Sequence, residues 1–141
     1  MQRPTVRRTL DLDCTTADLW RLVTSPDELG AWIGHDVSLE LHPGGAGHLI
    51  DDDGIARHLA VGEVVEGERL AFTWWPEEDD SAASEVTFAI EPTGEGARLV
   101  VTETAVGGVA AGVAGASAAS ASSWDVRLIS LWLTVCSQAR V

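Results

Sequence analysis

The feature that most constrains the fold is the segment GEVVEGERLAFTWWP at residues 62–76. Two runs of strand-forming residues flank a short linker, EGE, whose glycine suits a hairpin loop. In the second run, period two places Leu70, Phe72 and Trp74 on one face of the strand. The closing proline cannot donate to a strand ladder and ends the run. The hairpin therefore presents an apolar face that another element must cover.

The C-terminal part of the chain supplies an element that can cover this face. Trp124, Leu128, Leu131, Trp132 and Val135 recur at i, i+4, i+7, i+8 and i+11, which is the spacing of one helical face. The residues SSWD at its beginning are typical of a helix N-terminus. No other stretch of the sequence is both long and apolar enough, so we expect this helix to pack on the concave side of a sheet.

The rest of the chain predicts an antiparallel meander. After a first strand at residues 6–12, TTAD indicates a capped helix, and SPDE indicates a second short helix that runs to about residue 32. Strands that follow one another through short turns pair antiparallel. We expect them at residues 37–41, 47–50, 57–66, 69–75, 85–91 and 97–104.

Length and charge narrow the possible functions. A chain of 141 residues predicts one domain over residues 1–141. Nine basic and 22 acidic residues give a net charge of −13, which argues against nucleic acid or an anionic membrane as a partner. The basic residues are all arginine, so no lysine is available for catalysis.

The cysteines and a long uncharged run of residues bear on the cellular location of the protein. Cys14 and Cys136 lie far apart and form no CxxC or Cys/His spacing, so the sequence indicates no zinc site and favours a reduced, cytoplasmic protein. The N-terminal residues show no signal-peptide pattern. The Gly/Ala/Ser-rich run at residues 105–123 contains no Leu, Ile or Phe and makes a poor membrane span.

Four motifs carry a resemblance to a known family: SPDELGAWIG, HPGGAGHL, GEVVEGERLAFTWW and EVTFAIEPTGEGARLVVTET. Over about residues 5–138 the chain resembles the SRPBCC (START-like) superfamily, in the branch related to the activator of the heat-shock-protein ATPase (Aha-type). The resemblance implies an α+β helix-grip fold, in which a curved antiparallel sheet of about six or seven strands wraps around one long C-terminal helix. It also implies two short helices after the first strand and a cavity between the sheet and the long helix.

The resemblance implies binding or transformation of small apolar molecules, with no universal catalytic residue to carry over. One departure is the run at residues 105–123, which is longer than the fold needs and has smaller side chains. In this fold that loop lies near the cavity mouth, so the departure bears on how the entrance opens.

We expect a non-catalytic module that binds a small apolar or aromatic molecule, acts without a cofactor, and is a monomer or small homodimer. An aromatic ring gives a large contact area and, in tryptophan, an N–H group. The alternative for each tryptophan is that it only fills the core. The expected ligand-binding residues are Trp32, Phe72, Trp74, Phe88, Leu99, Val101, Trp124, Leu128 and Leu131.

Two other functions stay open. One is an enzyme of the polyketide cyclase/dehydratase type, with a cavity carboxylate or histidine as the acid or base. The other is a chaperone-associated or other protein-interaction module that acts through the outer surface. An inward carboxylate with no salt-bridge partner would favour the enzyme, and a tightly filled core with no cavity would favour the interaction module.

The candidates for a catalytic role are Glu103, Glu63 and His58. Glu103 shares a strand face with Leu99 and Val101, which makes it the better candidate for a cavity carboxylate, with an outward or strand-end position as the alternative. Glu63 and His58 fall on opposite faces of their strand unless a bulge intervenes. The four histidines lack metal-ligand spacing, and the acidic turns DDDG and EEDD lack the alternation of a calcium loop. We therefore expect solvated acidic turns and no metal.

Overall fold

The computed structural model describes residues 5–106 and 124–136. The elements follow the predicted order, with one turn of 3-10 helix at Asp80–Ala82 in the acidic loop. The final helix, α3, covers residues 124–136. The other elements are β1 (Thr5–Leu12), α1 (Thr16–Thr24), α2 (Pro26–Leu29), β2 (Gly34–Leu39), β3 (Ala46–Asp51), β4 (Ala56–Val65), β5 (Arg69–Pro76), β6 (Ser84–Pro92) and β7 (Ala97–Ala105).

All strands belong to one curved, seven-stranded antiparallel sheet in the order β1-β7-β6-β5-β4-β3-β2. From β2 to β7 the sheet is a meander, as the short turns predict. The first strand then pairs with the last one, with Thr5 opposite Thr104 and Leu12 opposite Ala97. The predicted α+β helix-grip fold is confirmed, and β1 and β2 form its two edges.

The two short helices follow their start signals, but α2 is shorter than predicted. Thr15 caps α1, because its side-chain oxygen accepts from the backbone N–H of Asp18 over 3.0 Å. Helix α2 ends at Leu29 instead of near residue 32. The chain then tightens into i→i+3 bonds, such as the one from the N–H of Trp32 to the carbonyl of Leu29. Trp32 and Ile33, which follow α2, are nevertheless buried.

The core lies between the concave face of the sheet and the three helices. Trp124, Leu128, Leu131 and Val135 of α3 are all buried against it. Trp132 was expected on the same face but is 47% exposed. At 100° per residue it lies about 80° away from Trp124 around the helix axis, at the margin of the apolar stripe. The outward side of α3 also carries exposed apolar residues, namely Val126, Ile129 and Leu133.

Within the described ranges, no helix has the length and apolar character needed to span a membrane.

Candidate functional site

An aromatic cluster occupies the centre of the core. The rings of Phe72 and Phe88 meet edge to face with centroids 5.5 Å apart. Trp32 packs on Phe88 at 5.7 Å, and Trp74 stacks on Trp124 of α3 at 5.9 Å. The cluster joins β5, β6, α3 and the segment after α2. It is what the alternation in β5 and the spacing in α3 predict.

A small apolar cavity lies beside this cluster, between the two short helices and strands β2 to β6. Its volume is about 10 Å³, which is room for at most one water molecule. Ser38 is the one polar residue in the lining, but its side chain is exposed and lies on the outer face, as its pairing with His48 requires. The others are Val23, Leu29, Ile33, Val37, Leu39, Leu49, Leu59, Leu70, Phe72 and Phe88.

The cavity lies under α1 and α2, and no residue of α3 lines it. Of the expected ligand-binding residues, Phe72 and Phe88 border it. The others are buried in the surrounding core: Trp32, Trp74, Leu99, Val101, Trp124, Leu128 and Leu131. Their role in ligand binding stays a prediction.

Strand β2, which contributes part of the cavity wall, is an irregular part of the sheet. Strand β2 is an edge strand that pairs only with β3, and its register slips between His35 and Ser38. Asp36, inside this slip, has a φ of 52°, in the left-handed region that non-glycine residues seldom adopt. Val37 and Leu39 of this strand form the cavity wall.

A buried carboxylate lies on the other side of the aromatic cluster. Glu103 of β7 is 8% exposed and points inward, on the same face as Leu99 and Val101. Its Oε1 accepts a hydrogen bond from the indole N–H of Trp124 over 2.7 Å. Its Oε2 accepts from the indole N–H of Trp74 over 2.8 Å and from the hydroxyl of Ser84. Three donors from β5, β6 and α3 therefore converge on one carboxylate.

A buried arginine on α3 continues this polar layer. Arg127 is 2% exposed, and its Nε donates to Asp52 over 3.0 Å, while its Nη2 lies 3.7 Å from Asp51. Its guanidinium lies 5.2 Å from the ring centre of Trp74 and 4.9 Å from that of Trp124. The two indoles thus contact one cation with their faces while their N–H groups contact one anion.

Asp51 is the anion at the far end of this layer. Burial raises its pKa, but hydrogen bonds from Arg57 and the backbone N–H groups of Ile55 and Asp53, with the charge of Arg57, outweigh burial. The net result is a pKa below the usual value of 3.8. The turn DDDG was expected to be solvated throughout, and for Asp51, which is 1% exposed, that expectation is wrong. The three carboxylates of the turn lie within 4.8 Å of one another, and Asp51 is neutralised by arginine.

The two other catalytic candidates lie away from the interior. Glu63 is exposed on the outer face of β4 and lies 3.5 Å from Arg69. A bulge between Val61 and Glu63 resets the alternation, so Glu63 and His58 share the outer face. The structure brings neither of them near Glu103.

Arg127, Asp51 and Ser84 were not predicted as site residues. A signal existed for Arg127, because it lies about 60° from Trp124 around the helix axis, at the margin of the apolar stripe opposite to Trp132. A signal existed for Asp51 as well, because it lies two residues after Leu49 and alternation along β3 places both on the inward face.

Three solved structures resemble this chain in fold. A protein from Mesorhizobium loti superposes with a TM-score of 0.79 at 23% identity, over 92% of this chain and 94% of its own. DynU16, a protein of the dynemicin biosynthetic locus, gives 0.74 at 23% identity, over 91% of this chain and 45% of its own. CalU16 from Micromonospora echinospora gives 0.70 at 18% identity, over 93% of this chain and 74% of its own.

No functionally curated protein matches this sequence. One family model does match, and it spans residues 13–125, from the end of β1 to the first turn of α3. The matched region contains both short helices, six of the seven strands, Glu103 and Trp124. The chain therefore belongs to the family described as activator of Hsp90 ATPase homolog 1-like proteins.

Proposed function

We propose that this protein binds a small apolar or aromatic molecule between the sheet and the helices that cover it, without transforming it. The supporting observation is the apolar cavity under α1 and α2, which all lining residues except the outward-facing Ser38 border with apolar side chains. Ligand sites are typically concave and apolar, with a few polar groups that orient the ligand. The family to which the chain belongs is consistent with such a role.

Binding requires the cavity to enlarge. A dry cavity of about 150 Å³ is needed for a molecule such as benzene, whereas the closed cavity holds about 10 Å³. The least costly movement is an outward shift of β2 and α2, because an edge strand with a register slip and a one-turn helix have few bonds to break. We expect the entrance to lie between Leu29 and Val37.

The arrangement of the catalytic candidates favours binding over catalysis. Both oxygens of Glu103 accept hydrogen bonds from protein donors, so the carboxylate is already engaged. Glu63 and His58 lie on the outer face of the sheet, away from the cavity. The cyclase/dehydratase alternative remains, since Glu103 is an inward carboxylate with no ion-pair partner among the described residues. Two proteins of similar fold are DynU16 and CalU16, the first from a biosynthetic locus.

Native mass spectrometry of the gently purified protein tests the proposal directly. We expect an additional mass of small-molecule size that is lost on denaturation. In parallel, 1-naphthol should change the tryptophan fluorescence in a saturable manner. A protein without additional mass, whose fluorescence responds to no uncharged aromatic in a panel, would contradict the proposal.

A matched pair of variants locates the site. Val37→Phe adds a ring to the cavity wall and should remove or weaken binding of 1-naphthol. Val65→Phe makes the same change at a residue that is 39% exposed on β4 and should leave binding intact. Equal loss of binding in both variants would place the ligand elsewhere.

We expect binding to take place in the cytoplasm, in a monomer or small homodimer. Both cysteines are unpaired, and burial, with the nearby charges of Asp18 and Asp13, raises the pKa of the Cys14 thiol. A thiol of this kind reacts slowly with oxidants at neutral pH.

A further inference from the structure

The strand register brings two histidines together on the outer face of the sheet, opposite the cavity. His48 of β3 and His58 of β4 are direct partners in the antiparallel pairing. Both side chains are half-buried, and their ring centres are 5.7 Å apart. Opposed residues on neighbouring strands hold their side chains side by side, so this arrangement is fixed by the backbone.

The separation of the rings fits a shared metal ion. A ring nitrogen binds Zn²⁺ at about 2.0–2.1 Å, so two imidazoles on one tetrahedral ion place their ring centres about 5–6 Å apart. The observed 5.7 Å lies within this range. The ligand atoms of His48, His58 and Glu77 do not all lie within 4.8 Å of one another, so side-chain rotation has to bring them to a common point when the ion binds.

A carboxylate stands beside this pair. Oε1 of Glu77 lies 3.9 Å from Nε2 of His58. The backbone N–H of Glu77 donates to the carbonyl of Ala56 over 2.8 Å, which holds the residue next to β4 while its side chain stays 53% exposed. Glu77 can therefore supply an oxygen ligand after a rotamer change.

The imidazole nitrogens are available for a ligand. Among the residues that the structure describes, neither His48 nor His58 makes a hydrogen bond through its ring, and the contact of His58 with Glu77 is the one polar approach. The net charge of −13 also raises the local concentration of cations. The pair thus differs from His42, whose Nδ1 lies 3.1 Å from the carbonyl oxygen of Pro43.

We propose that His48 and His58, with Glu77 as a third ligand, bind one divalent transition-metal ion of the class that prefers imidazole, such as Zn²⁺ or Cu²⁺. Water completes the coordination on the solvent side. The ion links β3 to β4, the strands that carry Leu49 and Leu59 of the cavity wall on their other face. Because it binds the folded chain preferentially, it stabilises this end of the sheet.

Calorimetric titration of the whole protein with ZnCl₂ tests the site. We expect one equivalent to bind, and His48→Gln or His58→Gln to weaken the affinity by roughly tenfold or more. His35→Gln with His42→Gln is the matched control and should leave the affinity unchanged. No binding to the wild type, or equal binding by the wild type and the His48→Gln, His58→Gln double variant, would overturn the proposal.

Two further measurements separate this site from adventitious binding. The ring of Trp75 lies 6.0 Å from that of His58, so Cu²⁺ at the site should quench the fluorescence of Trp75, and Trp75→Phe should remove that part of the quenching. Loss of Zn²⁺ binding in Asp52→Asn with Asp53→Asn, but not in the histidine variants, would assign the ion to the acidic turn and overturn the proposal. The histidine variants face outward and should keep the melting temperature of the metal-free protein.

Discussion

The indole N–H of Trp124 donates to Glu103 over 2.7 Å, and this bond joins the first turn of α3 to the last strand of the sheet. Trp74 donates to the other carboxylate oxygen from β5. A buried carboxylate with three donors is well satisfied, whereas the same group with a donor missing is costly. Glu103 therefore acts as the acceptor around which helix and sheet are aligned.

Glu103→Gln should lower the free energy of unfolding by about 1–3 kcal/mol. The amide has one acceptor oxygen, and its NH₂ group meets an indole N–H, so one buried donor loses its partner. Urea denaturation measures the effect. Glu85→Gln, an exposed change on β6, is the control and should stay within about 0.5 kcal/mol of the wild type. If the two variants unfold at the same urea concentration, the role assigned to Glu103 is wrong.

Arg127→Met should destabilise the protein by about 3 kcal/mol. The change removes a buried cation from Asp51 and Asp52. The loss in the free energy of unfolding is at the lower end of the range for a broken buried ion pair, because Asp51 keeps its ion pair with Arg57. Thermal or chemical unfolding measures this change in the free energy of unfolding.

The matched control for this variant is Arg8→Met. Arg8 forms an ion pair with Asp125 over 2.8 Å, but both side chains are substantially exposed, so the loss should be below about 1 kcal/mol. A similar loss in both variants would mean that the burial of Arg127 contributes nothing specific.

The stability should fall in acid partly through Asp51. Its folded-state pKa lies below the usual value of 3.8, so the unfolded chain takes up the proton first as the pH falls. Its contribution is complete above that usual value and is lost as the pH falls through the folded-state pKa. The free energy of unfolding, measured from pH 7 to pH 3, should therefore decrease less steeply below about pH 5 in Asp51→Asn than in the wild type.

The control for the acid experiment is Asp53→Asn in the same turn. Its free energy of unfolding should fall with pH as steeply as that of the wild type. A hydrogen bond from Arg98 lowers the pKa of Asp11, and this adds to the pH dependence of the free energy of unfolding equally in all variants. Identical slopes in Asp51→Asn and Asp53→Asn would contradict the assignment.

Two glycines in the turn between β6 and β7 should respond oppositely to alanine. A Cβ atom at Gly96 would overlap the carbonyl oxygen of Leu12 at the end of β1, so Gly96→Ala should cost about 1–3 kcal/mol. A Cβ at Gly94 meets nothing within 4 Å, and Gly94→Ala should be neutral or stabilise by up to about 1 kcal/mol through the unfolded chain. Melting temperatures in the reverse order would contradict this.

The fold could be predicted because its signals are local. Alternation in β5 and the helical spacing after Trp124 identify the faces that meet, and the Thr15 cap fixes the start of α1. The predicted extent of α2 was wrong because Trp32 and Ile33 are buried without remaining in an α-helix. Burial alone does not distinguish these two conformations.

The polar layer could be predicted only in part. The inward direction of Glu103 follows from its neighbours on β7, but its partners come from three other elements. The bond from Arg127 to Asp52 joins residues 75 positions apart, and the pairing of His48 with His58 depends on the register of β3 and β4. Such pairs arise from the register and from the docking of α3, and neither is encoded in the spacing along one segment.

The pairing of β1 with β7 has a consequence for how this protein is made. Thr5 and Thr104 hydrogen-bond to each other although they are 99 positions apart. During synthesis β1 leaves the ribosome early and must wait, with its hydrogen-bonding groups unpaired, until β7 has emerged. Closing so long a loop is slow, and an unpaired strand invites contact with other chains. The nascent protein is thus most open to aggregation, or to capture by a chaperone, before β7 has joined the sheet.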